Sequence, residues 1–158
     1  MLTMGIDQSY TSTGIFILDQ DKNIILVKTI SSSKDQDFFD RAWMISQAIN
    51  NIVSEYKPHQ INMEDLAFGS IGNATRNLAG LQYVIVTSLR HNLNINCLLV
   101  PPTTLKKFAT SKGNSKKSEL YECLPDYIKT ELKNRNITKS KGLGDVVDAY
   151  WLACYTKP

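Results

Sequence analysis

Asp145 and Asp148 give the sharpest chemical signal in this sequence, because a spacing of three puts both carboxylates on one face of a helix. The run around them (Val146, Val147, Ala149, Tyr150, Trp151, Leu152, Ala153) is apolar, so the helix is buried and the pair at its mouth is partly desolvated and needs a cation. Read singly, Asp145 is an N-terminal cap and Asp148 a carboxylate favoured by the helix dipole, but neither role explains the apolar face. Asp7 closes the run Met4-Gly5-Ile6-Asp7 and, taken alone, reads as a turn aspartate opening a hairpin. Glu64 follows Ile61-Asn62-Met63 at the end of a strand expected to be central, where ligand sites of open α/β sheets gather. Asp65 is its neighbour and competitor; strand alternation sends the two side chains to opposite faces, and Glu64 is the preferred candidate. Clustered oxygen donors without a usable histidine or thiol suit Mg²⁺ or Mn²⁺ rather than zinc. Two such ions about 3.5 to 4 Å apart can clamp an in-line phosphodiester displacement, which is nuclease chemistry.

The complement of these acids is the segment from Lys106 to Lys117, which holds Lys106, Lys107, Lys112, Lys116 and Lys117 and no acid. Such a stretch contacts phosphates, or is simply a solvated loop. Phe68, in a Gly-containing loop just after Glu64, is placed either to stack on an unpaired base or to fold back into the core. His59 and His91, at a strand entry and a helix end, read as surface or structural residues. Cys97, Cys123 and Cys154 never form a C-x-x-C pair and read as small, mostly buried residues of a reducing compartment.

The elements that must carry these residues follow from periodicity. Residues 2–7, 14–19 and 24–30 are β-rich runs separated by turn residues, the pattern of an antiparallel three-strand meander. Apolar residues recur at helical spacing from Asp37 to Tyr56 (Phe38, Ala42, Trp43, Ile45, Ile49, Ile52, Val53), and Pro58 stops the segment. A short strand at 60–64, a helix at 73–92 and a strand at 95–100 ended by Pro101-Pro102 make the rest of the sheet parallel. The 73–92 helix is apolar on more than one face, which implies either a covered core helix or a subunit interface. A lysine-rich stretch (103–117), a helix near 117–129, a polar loop to Gly144 and a last helix at 145–155 complete the chain. The fold expected is α/β: a mixed five-stranded sheet, three antiparallel strands then two parallel, flanked by helices.

At 158 residues with 42% hydrophobic and 21% charged side chains, the chain fits one domain, residues 1–158, with a real core. This size disfavours two-domain kinases, actin-like ATPases and large barrels. The formal charge of +3 is uneven: residues 1–100 carry 7 basic and 9 acidic groups, residues 101–158 carry 11 and 6. That asymmetry favours a phosphate-bearing partner. No signal peptide or membrane span is evident, so a cytoplasmic setting without a membrane partner is expected.

Taken in order, these residues resemble the RuvC family of Holliday junction resolvases in the ribonuclease H-like superfamily. Gly5-Ile6-Asp7 with Gly14 resembles the family's first strand and hairpin, Met63-Glu64 its second acidic site, and Gly144-Asp145-Val146-Val147-Asp148-Ala149 its C-terminal D-x-x-D-A helix. Pro102-Thr103-Thr104-Leu105-Lys106 followed by Gly113 and Lys117 is similar to the basic substrate-binding segment, and 73–85 to the interface helix. The likeness spans nearly the whole chain. Two departures are Gln8-Ser9 where the family has Pro-Gly, and the aromatic displaced by one position to Phe68.

What the resemblance implies is a crossover junction endodeoxyribonuclease that resolves four-way and other branched DNA by two-metal-ion hydrolysis, leaving paired nicks with 5′-phosphate ends. Asp7, Glu64, Asp145 and Asp148 would bind two Mg²⁺ ions, with Mn²⁺ as a substitute, and Lys117 would lie nearest the scissile phosphate. Phe68, Lys106, Lys107, Lys112 and Lys116 would contact DNA, and two copies would pair through the helix near 73–92. Short, lysine-rich chains of this kind resemble phage-encoded members. Competing readings are a YqgF-type RNA-processing nuclease, a non-catalytic branched-DNA binding protein, and a nucleotide-binding module for which the chain is too short.

Overall fold

In a computed structural model, described for residues 1–157, five strands form one sheet in the order β3-β2-β1-β4-β5. β1 (Thr3–Asp7), β2 (Thr13–Leu18) and β3 (Ile24–Ile30) are the antiparallel meander; β4 (Gln60–Glu64) joins β1 in parallel and β5 (Cys97–Val100) joins β4 likewise. The sheet is the one expected. Its period of two sorts the side chains: Met4, Ile6, Ile15, Ile17, Ile61 and Met63 go to one face and form a core with helices α1 (Phe38–Tyr56) and α2 (Asn73–Leu93). Phe16 and Leu18 go to the other face, against α4 (Lys117–Glu122), α5 (Asp126–Asn134) and α6 (Leu143–Cys154).

α1 starts where Asp37 accepts hydrogen bonds from the amides of Phe39 and Asp40, both 2.9 Å, and ends at Lys57 in the left-handed region just before Pro58. Two residues assigned to its buried stripe lie outside it: Phe38 is 45% and Trp43 59% exposed. With Tyr10, Phe39, Gly80 and Val84 they border an apolar groove of about 470 Å³ between α1 and α2. α2 itself buries one face, through Leu81, Gln82, Ile85, Ser88 and Leu89, and leaves Tyr83 in solvent. Cys97 and Cys154 are half-buried, but Cys123 is exposed, contrary to the expectation for all three cysteines.

The basic half departs most from the sequence reading. Pro101 and Pro102 end β5 and at once begin α3 (Pro102–Thr110), because proline at the first helical position loses no hydrogen bond. The 117–129 helix is two, broken at Leu124-Pro125, and the polar loop contains the end of α5 and a 3₁₀ turn, Lys139–Lys141. α6 begins at Leu143, two residues early, so Gly142 rather than Asp145 occupies the cap and Asp148 falls in the second turn. α6 crosses β1, β2 and β4 so closely that a Cβ at Gly5 would overlap the Ala149 carbonyl, and one at Gly14 the Asp145 carbonyl.

Candidate active site

The two-residue period of β1 and β4 places Asp7 on the face of Gly5 and Glu64 on that of Asn62, the face that α6 covers. Gly5 pairs with Asn62 and Ile6 with Met63, so Asp7 and Glu64 end adjacent parallel strands at the same level. α6 brings Asp145 and Asp148 from above, one turn apart. The four predicted acids therefore meet at the carboxyl ends of the two central strands. Asp65 points away: its carboxylate accepts from the Leu66 amide (2.8 Å) and from Gln82 (3.1 Å), so Glu64 and not Asp65 faces the other acids.

Lys117 opens α4 and stands among the acids, its ammonium 3.1 Å from Asp148, 3.5 Å from Asp145 and 3.9 Å from Asp7. Two local devices aim it. Thr110 and Ser115 bond each other at 2.6 Å and bond the carbonyls of Lys106 and Lys112, knitting the α3–α4 turn. The Trp151 indole of α6 donates to the Leu120 carbonyl of α4 at 3.1 Å, tying the two helices together. The Lys117 stem passes over Gly144, where a side chain would crowd it. Neither device was visible in the sequence, although Thr110 and Ser115 lay inside the basic segment.

Burial dominates the electrostatics. Asp7 and Asp148 are 5% and 4% exposed, and burial, with the neighbouring acids, raises both carboxyls above their ordinary value. Glu64 is pushed up to about 7, first by burial and then by Asp148, while Lys117 and Lys106 pull it back. Burial lowers the Lys117 ammonium, but Asp148 and Asp7 outweigh it and hold the group above the usual lysine range. The Lys117 ammonium thus pairs with three of the four acids, Glu64 has no ion-pair partner, and the Oδ1 of Asp148 is buried with no hydrogen-bond partner.

These donors fit a hard divalent cation: all are carboxylate oxygens, mutually repelling, short of positive charge and holding an unused buried lone pair. Among the described residues no three acidic, imidazole or thiol groups are closed to a finished metal shell; in this arrangement the lysine ammonium lies between them. His59 accepts from the Leu2 amide and takes no part in the site.

The other predicted residues divide. Lys106, on α3, is close enough to bear on Glu64 and Asp148. Lys107, Lys112 and Lys116 are exposed beside it, and the backbone amide of Lys116 donates to Glu119 at 2.7 Å. Phe68 is entirely exposed on the loop after Glu64, so it does not fold back into the core. Sequence reasoning missed Gln8 and Gln82, both 5% exposed, whose amides donate to the Glu64 carbonyl at 3.1 and 3.4 Å. The only sequence signal was a glutamine in an otherwise apolar stretch of α2.

No family model matches the chain. It is 26% identical to the crossover junction endodeoxyribonuclease RuvC of Pseudothermotoga lettingae over 98% of this chain and 94% of that protein. It is likewise 26% identical to the RuvC of Fusobacterium nucleatum, over 81% and 68% of the two chains. Both organisms are bacteria, which lends the expected phage origin no support. Among solved structures, Thermus thermophilus RuvC in complex with Holliday junction substrate superposes with a TM-score of 0.73 at 15% identity, covering 97% of this chain and 90% of that one. The acids thus converge at the centre of a ribonuclease H-like fold, and the chain resembles, in sequence and architecture over nearly its whole length, the RuvC-type crossover junction endodeoxyribonucleases.

Proposed function

We propose that this chain is a structure-specific DNA endonuclease that cuts four-way junctions, and related branched DNA, by hydrolysis of a phosphodiester bond. The observation that carries the reading is the convergence of Asp7, Glu64, Asp145 and Asp148 with Lys117 at the carboxyl ends of β1 and β4. The four acids would hold two Mg²⁺ ions, or Mn²⁺ in their place, which when bound supply Lewis acidity and charge neutralisation at the reacting phosphate. The chain's own residues do the rest. Asp7 and Glu64, on rigid strand ends, fix one side of the site; Asp145 and Asp148, on α6, fix the other. Lys117, released from its acids, offsets negative charge on the phosphate as water attacks and the 3′-oxygen leaves. Lys106, Lys107, Lys112 and Lys116 would contact the DNA backbone, and Phe68, fully exposed on the loop after Glu64, would stack on an unpaired base.

Paired nicks on opposite strands require two such sites, so we infer a homodimer through α2. The exposed Tyr83 and the apolar groove beside it supply unpartnered surface there. The decisive experiment is cleavage of a strand-labelled synthetic four-way junction with Mg²⁺, Mn²⁺ or chelator, beside linear duplex, structured RNA and a Glu64→Gln variant. Metal-dependent, paired, ligatable nicks near the branch, absent in the variant, are expected. Tight junction binding without cutting would make the protein a branched-DNA binder, and preferential cutting of RNA would make it an RNA-processing nuclease.

A further inference from the structure

Of the four acids, Glu64 alone makes no ion pair with Lys117. It is also the last residue of its strand: the ladder to β1 ends one pair earlier, at Ile6 and Met63. On the β5 side Glu64 stays paired with Val100, but towards β1 and α2 its carbonyl is held by side chains. The Glu64 carbonyl accepts the amide of Gln8 at 3.1 Å and that of Gln82 at 3.4 Å. The Gln82 amide also donates to the Asp65 carboxylate at 3.1 Å, and the Asp65 amide donates to the Val100 carbonyl at 2.8 Å. One glutamine therefore binds two consecutive residues, the two N–H donors of its side-chain nitrogen going to the two acceptors. Gln82 and Ser88 are the buried polar residues of α2, and Ser88 is turned to Asn50 of α1, which leaves Gln82 as the link between α2 and the acid cluster.

We propose that Gln82, assisted by Gln8, is a positioning residue that orients the Glu64 carboxylate for cation binding. The inference rests on the reading of Glu64 as one of the metal-holding acids. Gln82 touches no reacting group; it acts through the main chain of residues 64 and 65. Leu81 and Ile85 flank it in the core, so its own position is set by the packing of α2 on the sheet. Whatever covers or shifts α2 is felt at Glu64 through this amide. The role belongs to the outer layer of a metal site, where loss of a partner typically weakens metal binding about 10- to 100-fold.

The test uses the full chain and Mn²⁺ as the probe. Gln82→Met keeps length and removes both donors; Gln82→Glu turns acceptors onto acceptors; Gln8→Met removes the second clamp. Mn²⁺ titration followed by electron paramagnetic resonance, without DNA, should show affinity lowered about tenfold in Gln82→Met and further in Gln82→Glu. The Mg²⁺ concentration giving half-maximal junction cleavage should rise by the same factor, while the rate at saturating Mg²⁺ and metal-free junction binding change less than about threefold. Unaltered Mn²⁺ affinity, or a rate loss equal at every metal concentration, would overturn the proposal and leave Gln82 a packing residue. If Gln82→Met does not fold, Gln8→Met reads the same shift in the same direction, and wild-type metal affinity there overturns the clamp. Glu64→Gln separates the two levels: if it too binds Mn²⁺ and cuts normally, the reading of the acid cluster itself fails.

Discussion

The charge surplus at the acid cluster has a measurable thermodynamic cost. An ordinary glutamate titrates near 4.5, and Glu64 is pushed up to about 7 by burial and by Asp148. Folding therefore favours its protonated form. The stabilising contribution is complete below about pH 4.5, is lost as pH rises through about 7, and changes no further above that. Each pH unit is worth about 1.4 kcal/mol, so the full effect is at most about 3 kcal/mol. In a chain of this length about 1 kcal/mol moves Tm by roughly 2 to 4 °C, so the metal-free protein should lose up to about 6 to 12 °C from this group. The assay is thermal unfolding from pH 5 to 8 in chelator, wild type beside Glu64→Gln. The variant should show a shallower decline, the remainder belonging to Asp7 and Asp148, whose shifts have the same sign. Added Mg²⁺ should stabilise the wild type more at pH 8 than at pH 5, because the charged acids are the ones that bind it. An identical pH slope in wild type and variant would refute the argument, since no titration of Glu64 would then be coupled to folding.

Two further outcomes follow from local geometry. Gly5→Ala places a methyl group into the α6 backbone at Ala149 and should lower stability by roughly 3 kcal/mol or more, with loss of soluble protein; a folded variant with near-normal Tm would show that α6 can back away. Phe68→Ala removes a fully exposed ring and should leave Tm within about 1 °C, while weakening junction binding by roughly 1 to 3 kcal/mol, measured by fluorescence anisotropy. Equal affinity would remove Phe68 from the DNA interface.

The sheet was legible because its signals are local. Alternating apolar runs gave all five strands, and the same alternation separated Glu64 from Asp65, which the structure turns to opposite faces. The four acids were legible as a set because two close β strands and two share one helical face. The basic half was harder. Lysines with Gly113 and scattered serines read as loop, yet Pro102 starts a helix whose only fully buried side chain is Leu105. One buried leucine gives no periodicity to detect. Lys117 was singled out by resemblance, but its orientation depends on the Thr110–Ser115 bond and on the Trp151 indole reaching the Leu120 carbonyl from α6, tertiary contacts that no local pattern announces. Phe38 and Trp43 fitted the apolar spacing of α1 and still face outward, since a broad stripe shows its width and not which edge the neighbouring helix leaves bare.

The pressing of Gly5 and Gly14 against α6 has a consequence for how the molecule assembles. The central strand is written at residues 3–7 and its cover at residues 143–154, so the innermost contact of the fold joins distant parts of the chain. Closing that loop is an entropically late event, and until it happens one face of the β1–β2 hairpin is wet. Amide protons of β1 and α6 should therefore exchange as one cooperative unit, at the free energy of global unfolding. The acid cluster is drawn from positions 7, 64, 145 and 148, so it is incomplete in any species where α6 has not docked, and a nascent chain remains unarmed until that helix is in place.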